Sequence, residues 1–158
     1  EDAKIVFDGN AQDFHVGLDD SADDLVIGLG SALGTTPAIS IDENLLVTVE
    51  DDVKVDGRAV GHVTTDNDGD FDLAVGNDFK CTSGGNLALT FTNAAAGQSG
   101  NIMFVNASNH TITAAATVAI NADVLTTISA SGTYHLSYFC SAASGNDTIL
   151  VSASAILT

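Results

Sequence analysis

Basic side chains are almost missing from this 158-residue chain: Lys4, Lys54, Arg58 and Lys80 stand against 21 Asp plus Glu, a formal net charge of −17. Neutralising a phosphate backbone requires cations, so nucleic acid is excluded as a partner. There is no Trp, and Tyr134 and Tyr138 are the only tyrosines, so a sugar-stacking surface of aromatics is not evident. Nowhere does an apolar run approach the roughly 18 to 20 residues that a membrane helix needs, and no membrane insertion is expected. Two cysteines, Cys81 and Cys140, lack CxxC spacing. Because Cys140 alternates in phase with Tyr134, Leu136 and Tyr138, a free buried thiol is favoured over a disulfide. Pro37 is the single proline, and helical periodicity is nearly absent.

What is present is alternation. Apolar residues recur at every second position between clusters of Gly, Asn and Asp, which predicts short half-buried strands and an all-β chain. In the first half "KIVF", "DFHVGL", "DLVIGL", "PAISI" and "LLVTV" read as hairpin strands with narrow apolar faces. In the second half "NLALTFTN", "NIMFVN", "HTITA", "TVAIN", "LTTIS", "YHLSYF" and "TILVSASAIL" read as the strands of an antiparallel, jelly-roll-like β-sandwich, with Leu87, Leu89 and Phe91 on one face. Nineteen of the 21 acids and all four bases lie in residues 1 to 80. This asymmetry predicts an acidic shaft or docking segment over 1–75 and a sandwich head over 76–158. So lean a pair of units is expected to gain stability by oligomerising, as a trimer.

The same segments carry a resemblance. "KIVFDGNAQDFHVGLDDSADDLVIGLGSALGTTPAISIDENLLVTV" resembles a repeated module in structural proteins of marine tailed bacteriophages. "NLALTFTNAAAGQSGNIMFVN" with "GTYHLSYFCSAASGNDTILVSASAIL" is similar to the β-sandwich that closes many phage tail fibres. The resemblance implies a virion surface protein: a homotrimeric fibre or appendage subunit that contacts other virion proteins and a host-cell receptor. A capsid decoration or head-fibre protein is the alternative within the virion, and a secreted bacterial β-adhesin or filament subunit the alternative outside it.

Sites are sparse. "DNDGDFD" places Asp66, Asp68, Asp70 and Asp72 at every second position, yet Gly69 comes fourth and position 12 is Asn77, which fails the EF-hand pattern. If the stretch turns at Gly69, its carboxylates converge as a calcium site; otherwise it is a solvated acidic turn joining the two halves. No other cofactor is expected. "LDDSADDL" reads as a polar hairpin turn in which Asp and Ser bond backbone N–H groups, and "GLGSALG" lacks the following helix of a phosphate loop. His15, His62, His110 and His135 show neither HxH nor HExxH spacing, and no GxSxG elbow exists, so no catalytic residue is nominated and an enzyme is not expected. The candidate exposed receptor loops carry Asn106, Ser108, Asn109 and His110, and Ser144, Asn146 and Asp147.

Overall fold

The computed structural model describes residues 1–157. The protein is all-β, with one short helix. It forms two compact units, Glu1–Ala59 and Val60–Thr158. The division falls earlier than the expected 75/76 join, because strands in residues 60–75 pair with strands of the second unit.

The first unit is one antiparallel sheet in the order β1-β2-β3-β4-β5. Its strands are β1 (Ala3–Phe7), β2 (Phe14–Asp19), β3 (Asp24–Leu29), β4 (Pro37–Ile41) and β5 (Val47–Val49). The β2–β3 turn is built as read: the Asp19 carboxylate accepts from the Ser21 N–H at 3.1 Å and the Ser21 hydroxyl at 2.6 Å. That hydroxyl, with the Ser21 and Ala22 backbone, holds the Asp19 pKa below its ordinary value against a smaller effect of burial.

Register decides the character of each face, since directly paired residues point the same way. Ile5 pairs Val16, Val16 pairs Ile27, Ile27 pairs Ile39 and Ile39 pairs Val49. The neighbouring rows bring Phe7, Phe14 and Leu29 together at one end, and Ala3, Leu18, Leu25, Ile41 and Val47 at the other. Every side chain on this face is apolar. The expectation of narrow faces is therefore corrected: strands that each offer two or three apolar positions lie side by side as one broad surface.

The opposite face carries small and polar residues, including Lys4, His15, Gly17, Gly28, Ser40 and Thr48. The loop after β3 is tied over it, with the His15 ring Nδ1 2.9 Å from the Gly30 carbonyl and Lys4 Nζ donating to the Ser31 carbonyl at 2.6 Å. His15 and Val26 are consequently buried. Gly28 is required here, because a Cβ would sit 2.7 Å from the His15 ring and 2.6 Å from the Thr36 carbonyl oxygen.

The second unit has two sheets. The larger contains β6 (Val63–Thr65), β8 (Asp78–Ser83), β10 (Ser99–Asn106), β12 (Val118–Ala119), β13 (Gly132–Cys140) and β14 (Ile149–Ala153). Its order is β12-β14-β13-β10-β8-β6. The smaller, in the order β11-β9-β7, contains β7 (Asp70–Asp72), β9 (Leu87–Thr92) and β11 (Ile112–Ala114). From β6 to β12 successive strands alternate between the sheets, so the chain winds and each strand lies parallel to the one two places earlier in β6–β8–β10 and β7–β9–β11. The antiparallel pairs expected of a sandwich are β10–β13 and β13–β14.

Between these sheets lies a core drawn from inward alternate positions. Phe79, Ile102 and Leu136 form one row across the larger sheet; Cys81, Phe104 and Tyr134 form the next. Phe71 bridges to both Phe79 and Phe91 at 5.2 Å between ring centroids, and Phe91 meets Tyr138 at 5.1 Å. Such tilted aromatic pairs add about 0.5 to 1.5 kcal/mol each beyond their area burial. Cys81 and Cys140 are free and buried.

One expected strand is a helix. "LTTIS" lies within and just after α1 (Ala122–Ile128), which Asn121 caps by accepting the Asp123 N–H at 2.7 Å. Leu125 and Ile128 then fall on one helical face, and Ile128 enters the core.

Candidate functional site

Three places were nominated by sequence. Asp66 to Asp72 lies inside the second unit, where it carries the chain from β6 in the larger sheet to β7 in the smaller, and it does not join the two units. The chain turns at Gly69, whose φ is +86°. Phe71, fully buried, is what fixes the stretch, so Asp70 and Asp72 point away from the core by alternation.

The carboxylates are spent on local bonds rather than gathered. Asp66 accepts from the Asp68 N–H at 3.2 Å, Asp68 from the Asp70 N–H at 3.0 Å, and Asp72 from the Ala74 N–H at 2.9 Å and from Asn93 Nδ2 at 2.8 Å. Burial, reinforced by the neighbouring Asp68 carboxyl, raises the Asp66 pKa. The Asp70 N–H lowers that of Asp68, and the Asn93 amide lowers that of Asp72. Among the described residues no group of three or more His, Cys, Asp or Glu side chains is placed to hold a metal ion. The calcium reading therefore finds no ligand set among the described residues: Asp66, Asp68 and Asp72 each accept a local N–H, Asp70 is exposed, and only the Asp66 and Asp68 carboxyls lie side by side.

The second nominated place is the loop after β10, and here one residue is corrected outright. Asn106 is wholly buried and is no exposed receptor contact. Its position continues the inward alternation of Ile102 and Phe104. Nδ2 donates to the His110 carbonyl at 2.8 Å and to the Ile128 carbonyl at 3.0 Å, while Oδ1 accepts the His110 N–H at 2.9 Å. The amide thus closes the loop on itself and ties it to the end of α1. Asn109 sits at φ 54° and accepts the Ser131 N–H at 2.7 Å, and Ser108 is exposed.

His110 is half-buried, its Nδ1 3.1 Å from the Ser83 hydroxyl. A Ser–His contact invites a nucleophile reading, which the surroundings oppose. Ser83 is only 2% exposed and also donates to the Val105 carbonyl at 3.4 Å, and no acid is hydrogen-bonded to His110 among the described residues. A nucleophile needs access and an oriented base. The pair instead holds the β8 and β10 ends to the loop.

Ser144, Asn146 and Asp147 are exposed, as expected, on the loop that joins β13 to β14. Its base is fixed by the Ser141 N–H and hydroxyl donating to the Thr148 carbonyl, both at 2.8 Å, and by the Asp147 N–H donating to the Ala116 carbonyl at 3.0 Å. Asp147 takes φ 54° and Gly145 φ 117°, which sets the tip. Among the described residues no hydrogen bond engages the side chains of Ser144, Asn146 or Asp147, leaving them free to meet a partner.

A polar strip that sequence reading passed over lies on the outer face of the larger sheet. His135 Nε2 stands 3.0 Å from Asn101 Oδ1, and Asn101 donates through both its backbone N–H and Nδ2 to Asp78 at 3.1 and 3.0 Å. Positions 78, 101 and 135 belong to three different strands, so only their register brings them together. Asn101 and His135 are exposed and Asp78 is half-buried, and Asp78 and Asn101 line a shallow, open depression together with Asn77, Ser99 and Tyr138.

Among the described residues no helix is long and apolar enough to cross a membrane. Comparison with protein-family models, curated proteins and solved structures returned no match to this chain.

Proposed function

We propose that this chain is a structural subunit of a bacteriophage virion: a homotrimeric fibre or appendage whose first unit assembles and whose second unit displays surface loops to a host-cell receptor. The observation that carries the reading is the unequal distribution of core. Of the 18 buried apolar residues among those described, Val26 alone belongs to the first unit. A sheet that buries so little cannot offset its chain entropy by itself and is stabilised by burial against something further. The second unit, with 17 residues in one continuous cluster, needs no such help and is free to present loops.

Chemistry supports recognition over turnover. The exposed Ser144–Asp147 tip stands on a hydrogen-bonded base, and three copies on one particle would multiply weak contacts. The resemblance of both halves to phage fibre segments points the same way.

Immunogold labelling of intact particles with antibody to the second unit tests this. Gold at fibre tips, with purified protein blocking adsorption to host cells, is the expected result. Gold over the head would move the protein to capsid decoration, and absence from particles would overturn the virion reading.

A further inference from the structure

We infer that the uniformly apolar face of the first sheet is the surface through which copies of this chain pack on one another. This rests on the self-assembly proposed above and names the surface responsible. Nine large apolar residues on that face are each 38–65% exposed. At roughly 150 to 200 Å² for a fully exposed large apolar residue, they present on the order of 800 Å², the share one partner contributes to a stable interface. That exceeds the roughly 300 to 600 Å² of the largest patch on a typical monomer.

The identity of the occupant follows from composition and shape. No charged residue interrupts the face, whereas Asp8 and Asp13 lie in the turn at one end of its strands and, at the other, Asp19 ends β2 on the opposite face and Asp20 and Asp23 lie in the turn. A partner recognised by charge would meet these rims; an uncharged face of one residue class is complementary to itself. Five strands at about 4.8 Å spacing give a width of about 24 Å, so three faces closed into a prism put each central strand about 7 Å from the axis. The central strand is β3, and its Leu25, Ile27 and Leu29 have the length to fill that distance. The opposite face is already occupied by its own loop.

Cysteine cross-linking of the full chain tests the inference, because Cys81 and Cys140 are both buried. Copies of Ile27→Cys would lie about 12 Å apart around that axis, beyond the reach of a disulfide, so a short bis-maleimide is expected to join them between chains at micromolar protein, while Met103→Cys on the second unit stays monomeric on a denaturing gel. The paired variant Val16→Thr with Ile27→Thr keeps β-branched residues in both strands, and it should reduce the mass in solution to that of one chain. Tyrosine circular dichroism, which reports Tyr134 and Tyr138 alone, should be unchanged. An oligomer that survives the double substitution, together with an Ile27→Cys variant that stays uncrosslinked, would overturn the face while sparing self-assembly. A dimer dispersed by the substitution would uphold the face and overturn the trimer. A wild-type monomer would overturn both.

Discussion

Replacing Asn106 by alanine removes a side chain that no solvent reaches and that makes three hydrogen bonds of 3.0 Å or less, with a fourth, longer one accepted from the Ser108 N–H at 3.4 Å. Each is worth about 1 kcal/mol net, and the orphaned carbonyls and N–H cost more where water cannot enter, so Asn106→Ala is expected to destabilise the second unit by about 3 kcal/mol. With a urea slope of about 2 kcal/mol/M, the midpoint falls by about 1.5 M. Tyrosine circular dichroism is the assay, since Tyr134 donates to the Ala130 carbonyl at 3.0 Å within this unit. Asn106→Asp, equal in size, places a carboxylate against two carbonyls and is expected to be at least as damaging at neutral pH, with partial relief in acid. Ser108→Ala, on the exposed part of the loop, should move the midpoint by less than about 0.3 M. If Asn106→Ala shifted it as little as Ser108→Ala, the amide would not be the tie between loop and helix.

Other outcomes follow from close contacts and titration. Gly100→Ala should lower stability by about 3 kcal/mol in the same urea assay, because a Cβ would collide with the Asn77 carbonyl that also accepts from Tyr138 at 2.9 Å. Asp66→Asn should stabilise at pH 7: the folded pKa is raised, so folding favours the neutral form, and the gain should fade as pH falls from the raised folded value to the ordinary carboxylate one. Burial, aided by the Asp66 and Asp68 carboxylates, pushes the Cys81 thiol up to about 12. Folded protein therefore holds this proton longer than the unfolded chain, stability falls as pH rises from about 9 towards 12, and a thiol reagent at about pH 8 should react only after denaturant is added. With a formal charge of −17 on each chain, any assembly should weaken on dilution into low salt and strengthen with added salt in sedimentation.

Strands β1 to β5 were legible in sequence because each alternates apolar and polar residues between Asp or Gly turns, and their bounds follow the segments read. What could not be read was that they lie side by side. Breadth is a property of register, and a one-residue slip at any pair would have moved half the face to the other side. Strands β6, β7 and β8 were missed for a local reason: each is short or broken by charge, and Phe71 stands alone between Asp70 and Asp72. The parallel pairs of the second unit were equally hidden, since pairing by winding depends on partners distant in sequence. By contrast α1 did carry a signal, in Asn121 as a cap and in Leu125 and Ile128 three apart, which the neighbouring threonines masked.

Exposure was the least legible quantity. Asn106 looked like a loop residue, being polar and next to Ala107-Ser108-Asn109, yet its parity with Ile102 and Phe104 already assigned it to the inner face. Ser144, Asn146 and Asp147 lie beyond the alternation of β13 and before that of β14, and they are exposed as their composition suggests. The buried polar residue is thus recognised by strand phase, and the displayed ones by its absence.

The most direct measurement is the mass of the wild-type chain in solution by sedimentation equilibrium at physiological salt. A discrete species of three 16.0 kDa chains, about 48 kDa, is expected from three apolar sheets converging. A 16.0 kDa species at every concentration would contradict it, because a first unit that stands alone needs no partner for its exposed face.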